Sequence, residues 1–477
     1  MKGDKAPPAT KHVRMPGKLV IVGFGSVGQG VLPLLLRHLK IARSQVLVIT
    51  GDERGAREAT RYGVTFMVNP LTRGNIRAVL EPILKPGDFL LNVSVDVSSV
   101  NLIALCQAKG VLYLDTCIEP WAGGYVDRRL TPSQRSNYAL REAARALNKK
   151  RSNGPTAVLT HGANPGLVSH FVKRALLELA RATKLRVARP TSREKWAALA
   201  EKLGVKVIHI AERDTQKALP DKRRGEFVNT WSVEGFAGEG CQPAELGWGS
   251  HEKELPRDGK RHEFGSGCAI YLERPGASTR VRTWTPLEGP CHGFLVTHSE
   301  SISISDYFTL KNGDELRYRP TVHYAYHPCD DAVLSLHELA GRNWKLQERQ
   351  RVLMREIVDG VDELGVLLMG HAKGAYWFGS QLSVQEARRL APHNNATTLQ
   401  VCASILGGIV WAVENPRCGV IDPDEVDYER VLEIAAPYLG KLAGAYSQWT
   451  PLVDRGLLFP EEIDQDDPWQ FRNFRVV

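Results

Sequence analysis

A short β-branched run that ends in glycine and opens straight into a helix constrains this chain more than any other feature. Lys18-Leu-Val-Ile-Val-Gly23 reads as a buried parallel strand. Gly23-Phe24-Gly25-Ser26-Val27-Gly28 follows as GxGxxG, and Val27, Val31, Leu35 and Leu39 continue at helical spacing. In that setting Gly23 permits the tight turn, Gly25 lets backbone approach a pyrophosphate, and Gly28 lets helix and strand pack closely. Ser26 and Val27 sit where the helix N-terminus offers free N–H groups to phosphate. Gln45 to Thr50, Val64 to Val68, Phe89 to Val95, Val111 to Leu114 and Ala157 to Thr160 read as further strands, most separated by helical segments. Strands alternating with helices predict an α/β, Rossmann-type doubly wound parallel sheet over 18–162.

The second strand ends at Thr50-Gly51-Asp52, where an acid that holds ribose hydroxyls is commonest. Either Asp52 reaches the ribose from two residues further on, or the site is less typical. No arginine directly follows the strand to receive a 2′-phosphate, Arg54 being the nearest, so NAD is favoured over NADP. In open parallel sheets ligands lie outside the carboxyl ends of strands. Asn92-Val-Ser94-Val-Asp96 and Tyr113-Leu-Asp115-Thr116-Cys-Ile-Glu119 close two of them. Ser94, Asp115 and Thr116 are therefore read as cofactor contacts. Asp96 and Glu119 face the same cleft or are helix caps and surface acids.

Beyond residue 162 the pattern changes to aromatics, loops and antiparallel-looking strands, among them Ala269 to Leu272, Arg280 to Trp284, Gly293 to Thr297 and Ile302 to Ile304. Gly162-Ala-Asn164-Pro-Gly166 marks the junction; Asn164 either bonds a ligand or forms an Asx-type turn. His209-Ile-Ala-Glu212 follows a strand-like segment. Trp231 stands near Glu234, Glu239 and Glu245, an arrangement that can cage an ammonium or be ordinary core. His298 and Glu300 share a face if their segment is a strand, and histidine is the natural proton shuttle near neutral pH. Leu399 to Val413 reads as a buried helix.

Charge and composition exclude several classes. The net charge is +9 over 477 residues, but the excess is dispersed rather than gathered into a basic stripe, which argues against nucleic-acid binding. No apolar run reaches the ~20 residues of a membrane span, and Met1 to Gly17 lacks a secretory pattern. Both point to a cytoplasmic protein with no membrane partner. The eight cysteines show no zinc-ligand spacing, so no metal is expected.

Taken together, GFGSVG at 23–28, NVSVDVSS at 92–99, DTCIEPW at 115–121, RSNYALRE at 135–142, GANPG at 162–166 and HIAERDTQ at 209–216 resemble the bacterial homospermidine synthases, of the saccharopine-dehydrogenase-like group. NTWSVEGF at 229–236, QPAELGWG at 242–249, VTHSESISI at 296–304, HYAYHPC at 323–329, IVDGVDELGVLL at 357–368 and DPWQFRN at 467–473 extend the resemblance over nearly the whole chain. It implies a Rossmann domain joined to a second α+β domain that also carries homodimer contacts. It implies that putrescine, or spermidine, is dehydrogenated by tightly bound NAD, that a second putrescine displaces ammonia or 1,3-diaminopropane, and that the new imine is reduced again to homospermidine. The family's cation–π tryptophan falls on Trp231. Its amine-binding acids fall on Glu239, Glu212, Glu119, Glu300 and Asp96, and its polar partners on Asn164 and His298. A disordered basic tail is expected over 1–17, the substrate and dimerisation domain over 163–395, and a C-terminal helical segment over 396–477 that packs back on the first domain. The main rival, a saccharopine-dehydrogenase-like oxidoreductase of an amino acid, calls for arginine clamps on carboxylate, whereas the pocket candidates here are acids and an aromatic.

Overall fold

The structure, a computed structural model, describes residues 9–150 and 153–476. The chain opens with the expected strand β1 (Leu19–Val22), buried at every position, and turns through Gly23 into helix α1 (Ser26–His38). β2 (Val46–Thr50), α2 (Ala56–Tyr62), β3 (Thr65–Val68), β4 (Phe89–Asn92), α3 (Ser99–Lys109), β5 (Leu112–Asp115) and β6 (Ala157–Val158) follow. Junction helix α4 (Leu167–Ala182) leads into the second domain, whose first long strand is β7 (Val207–Asp214). Next come α5 (Val233–Cys241), β8 (Pro243–Gly247), α6 (Ser299–Tyr307), β9 (Thr321–His327), β10 (Val361–His371) and β11 (Gly374–Ser383). Helices α7 (Val384–Leu390) and α8 (Ala396–Glu414), then β12 (Val420–Ile421) and β13 (Lys441–Ser447), complete the frame.

The first sheet has seven strands in the order β12-β6-β5-β4-β1-β2-β3, all parallel. Strand order reverses at β1, so the crevice beyond the ends of β1 and β4 is the place such a sheet offers to a ligand. The second sheet has eleven strands, with the run β8-β9-β7-β10-β11-β13 ending at the edge strand β13, and only β7–β9 parallel among these six. Strand alternation sends Ile210 and Glu212 of β7 to one face and Ala211 to the other. The Ile210 face packs into the main core, which also holds α1, α4 and α8, so Glu212 points toward the first domain.

Helix α8 is long and apolar enough to cross a membrane, yet it is buried along almost its whole length against α1, β5 and β10. Its contacts are close. A side chain at Gly408 would meet His161 and Leu114, and one at Gly30 of α1 would meet Asn394 and Cys402. The domains are also tied by a buried ion network. Arg141 bonds Asp422 through Nε at 3.2 Å and Nη2 at 2.7 Å, and Asp306 of α6 at 2.7 Å. Removing one partner of such a pair strands a charge out of water, at a cost of about 3–5 kcal/mol.

Three expectations about organisation change. Residues 1–8 of the expected tail lie outside the described residues. Val13–Arg14, however, pairs in parallel with Leu39–Lys40, and Met15 is buried, so the tail is ordered from there. The segment from 396 is not simply helical: β12 completes the first sheet, whereas β13 and Arg475–Val476 join the second. Ile302 to Ile304 lies in helix α6, not in a strand.

A dinucleotide cleft backed by buried carboxylates

Between the two domains runs a cleft of ≈ 680 Å³. Its floor is the turn after β1. Gly23 has φ +86°, and a Cβ there would lie 2.7 Å from Ser94, so only glycine fits. A Cβ on Gly28 would crowd the Gly23 carbonyl at 3.0 Å. Gly25 faces open space, which leaves its backbone approachable. The α1 N-terminus has no side-chain cap and no acid in its first turn, so its N–H groups and positive dipole end are free for an anion. Thr50, Asp52, Ser94 and Thr116 line the same space. This cradle fits a dinucleotide: an open glycine, an uncapped helix start and polar strand ends along one side. Asp52 accepts hydrogen bonds from the Arg54 N–H and Nε, both at 2.8 Å, and these hold its carboxyl below its usual range.

Asp115 does not reach the cleft. Its carboxyl is buried, accepts from the Thr160 N–H at 2.5 Å and the Tyr113 hydroxyl at 2.7 Å, and is pushed up to about 6 by burial. It fixes the end of β6, where Thr160 has φ +46°. The expected cofactor contact is corrected to a structural one. Glu245, counted near Trp231 in the sequence, likewise accepts from the N–H groups of Asn137 and Tyr138 and from the Thr297 hydroxyl.

Asp96, Glu119, Trp231 and Glu239 line the same cleft. Ser232 caps α5 by accepting from the Gly235 N–H at 3.0 Å. Gly235 leaves room for the indole: a Cβ there would sit 3.1 Å from the Trp231 ring. Ser26 of the glycine turn donates to the Trp231 carbonyl at 3.4 Å, which ties the turn to the segment that carries the indole. Burial, with Glu239 close by, raises Glu119 to about 8. Burial likewise raises Glu239, and burial together with Glu234 raises Asp96. Near neutral pH Glu119 keeps its proton until a cation arrives.

Behind this wall stand His298, Glu300, Glu212 and Asn164. His298 Nε2 lies 3.1 Å from Glu239 Oε2, and its Nδ1 lies 3.1 Å from Glu300 Oε1. Burial would lower its pKa, but Glu300 and Glu239 outweigh that and raise it to about 10. The ring is therefore an imidazolium that donates to both carboxylates. The two residues meet at a helix start, His298 as N-cap of α6 and Glu300 in its first turn, not along a strand. Tyr324 is the residue the sequence did not assign. Its ring lies 4.2 Å from that of His298, and its hydroxyl donates to Glu212 and accepts from Asn164 Nδ2 at 2.7 Å. Asn164 also donates to Glu212 at 2.5 Å, and burial raises the Glu212 carboxyl. Glu212 lies within strand β7 and not after it. Cys117 completes the wall with its Sγ 4.0 Å from Glu239.

The model of the saccharopine dehydrogenase NADP-binding domain matches residues 19–158, and that of the saccharopine dehydrogenase C-terminal domain matches 162–447. The chain is 53% identical over 468 residues to the homospermidine synthase of Blastochloris viridis, covering 97% of this chain and 98% of that one. It is 52% identical to the homospermidine synthase of Mesorhizobium japonicum, over 96% of each. The crystal structure of the homospermidine synthase of Legionella pneumophila in complex with NAD has a TM-score of 0.91 to it at 51% identity, over 98% of this chain and 99% of that one. Saccharopine dehydrogenase of Saccharomyces cerevisiae, at 10% identity and TM-score 0.52, shares the fold.

Proposed function

This chain belongs to the homospermidine synthase family, and on that premise we propose that its cleft couples two putrescines, or spermidine and putrescine, into homospermidine with NAD held in place throughout. The observation that carries the reading is the pairing of a dinucleotide cradle with Trp231, Glu119 and Glu239 in one cleft, Glu239 being bonded to an imidazolium. Bound NAD supplies a two-electron acceptor that takes an amine to the imine level and later gives the pair back.

The chain's own residues do the rest. Asp96 and Glu239 draw a diammonium into a protein whose total charge is +9, because near charges outweigh screened distant ones, and Glu119 adds to the pull as it ionises. An ammonium must lose a proton before its α-carbon can be oxidised, and Glu239 lines the cleft as the base that takes it. His298 stands behind Glu239 and keeps it supplied with a proton for the amine that leaves. The Trp231 face stabilises the iminium cation more than the neutral amine before it, which is differential stabilisation of the kind catalysis needs. Glu300 holds His298 charged, while Glu212 and Asn164, joined through Tyr324, continue the acidic run inward toward the far ammonium.

Gly23, Gly25, Ser26, Val27 and Gly28 would hold the pyrophosphate, with Thr50 and Asp52 at the ribose and Ser94 and Thr116 toward the nicotinamide. The reading is tested by incubating the protein with putrescine and a trace of NAD. Homospermidine and ammonia without net NADH are expected; NADH in proportion to substrate, with no coupled amine, would overturn it. The proposal extends to a homodimer working in the cytoplasm without nucleic acid or membrane. Light scattering at the mass of a single chain would refute the dimer.

A further inference from the structure

A pyrophosphate carries two negative charges, yet the cleft that would hold it is lined by six acidic residues, Asp52, Glu58, Asp96, Glu119, Glu234 and Glu239. The α1 N-terminus offers only about half a positive charge. Three arginines also line the cleft, and two are committed. Arg54 is bonded to Asp52 through Nε and its main-chain N–H. Arg388 of α7 donates Nη2 to the carbonyls of Met354 at 2.7 Å and Arg355 at 3.2 Å. The Arg355 guanidinium has no hydrogen-bond or ion-pair partner among the described residues, although the residue lines the same cleft as Gly25, Ser26 and Val27.

The main chain leading into it, by contrast, is fixed, and its own carbonyl is held by Arg388. Leu353 N–H donates to the Asn229 carbonyl at 2.7 Å, and Asn395 Nδ2 donates to the Leu353 carbonyl at 2.9 Å. Met354 N–H donates to Glu356 at 3.1 Å. A pinned backbone that presents one unpaired arginine to an anion site is a built arrangement, and a guanidinium matches phosphate oxygens two at a time.

We propose that Arg355, reaching across from the second domain, pairs with the pyrophosphate of the bound dinucleotide and makes it slow to leave. The inference rests on the NAD reading above. It gives the second domain a direct hand in retaining the cofactor, and Arg388 the part of a positioning residue for the Met354–Arg355 segment.

The test is NAD binding by calorimetry to the full chain, over a series of salt concentrations, for the unaltered protein, Arg355→Ala and Arg355→Lys. Because Arg355 is exposed and unpaired, both variants should melt with the unaltered protein. Arg355→Ala should weaken NAD about tenfold or more and flatten the dependence of affinity on salt, with Arg355→Lys in between. Unchanged affinity and salt dependence in Arg355→Ala would overturn the proposal. So would a loss that leaves the salt dependence intact and is no smaller for lysine, since that would mean packing rather than charge. Absence of NAD binding by the unaltered protein would remove the NAD reading itself, and is thereby told apart from failure of the arginine alone.

Discussion

Glu119 offers the sharpest test of how the site handles cations. Its carboxyl is lifted from an ordinary 4.5 to about 8 by burial, with Glu239 adding repulsion. An ammonium binds the ionised form. With a pKa near 8, about a tenth of the carboxyls are ionised at pH 7 and about three quarters at pH 8.5, a ratio of roughly eight. Waiting for ionisation therefore costs about 1.4 kcal/mol of binding at pH 7, and most of it is recovered by pH 8.5. Diamine ammonium groups, near 10.4 by analogy with lysine, stay charged across this window. Putrescine affinity, measured by calorimetry on the NAD-loaded protein, should rise several-fold from pH 7 to 8.5, and binding at pH 7 should release a proton to buffer. Glu119→Gln should bind more weakly at pH 8.5 and lose most of the slope. The same raised pKa makes the empty fold less stable as pH rises from about 4.5 to 8, because over that span the folded state binds more protons than the unfolded; Glu119→Gln should flatten that decline in melting temperature too. A flat affinity profile in the unaltered protein, or a full slope in Glu119→Gln, would refute the reasoning.

Trp231→Ala should abolish most turnover while NAD binding and melting temperature hold, whereas Trp231→Phe keeps part of the rate; a cation over an indole is worth about 0.5–2 kcal/mol. Steady-state kinetics decide it, and full activity in Trp231→Ala would remove the indole from the chemistry. Glu300→Gln takes away one of the two carboxylates that raise His298 to about 10. The imidazolium is then lost at lower pH, so the alkaline limb of the kcat profile should move down; an unmoved limb would contradict the assigned partnership. Asp115→Ala leaves the Thr160 N–H without its acceptor, which should cost about 1–3 kcal/mol. Its melting temperature should fall while NAD affinity stays unchanged, and a large loss of affinity instead would return Asp115 to the cofactor site.

Six of the seven strands of the first sheet were legible because they are short, apolar and bounded by turns, and the motif after the first because Gly23 and Gly28 sit where a Cβ has no room; β12 was not, being two residues in a segment that reads as helical. The acids at its strand ends were legible as candidates, but not which ones turn inward. Asp115 and Asp96 look alike in sequence; one is consumed by Thr160 and Tyr113, the other lines the cleft. That choice depends in part on Thr160, 45 residues away in the chain. Helix α6 was misread for a physical reason. Ser299, Ser301, Ser303 and Ser305 alternate with Ile302 and Ile304 at the period of a strand, but the helix is buried nearly all round, so it shows no polar face. The serines are small because β8 approaches closely: a Cβ on Gly247 would lie 2.3 Å from Ser305. Tyr324 carried no signal beyond being a polar aromatic in a buried strand, since its role comes from Glu212 and His298 on other elements. Residues 9–17 looked like a tail because Met1 to Gly17 as a whole is rich in Lys, Pro and polar residues and holds no apolar run. One short strand pairing, Val13 with Leu39 and Arg14 with Lys40, and the buried Met15 are enough to hold them.

The central claim is that the electron pair taken from one diamine goes back into the product without leaving the protein. Putrescine carrying deuterium at both terminal carbons, supplied with a trace of NAD and an excess of unlabelled NADH in solution, tests it directly by mass spectrometry of the product. Homospermidine that retains all of its deuterium is the predicted result. Homospermidine that has lost one deuterium per molecule would show that the pair escapes and is replaced from solution, and would contradict the account.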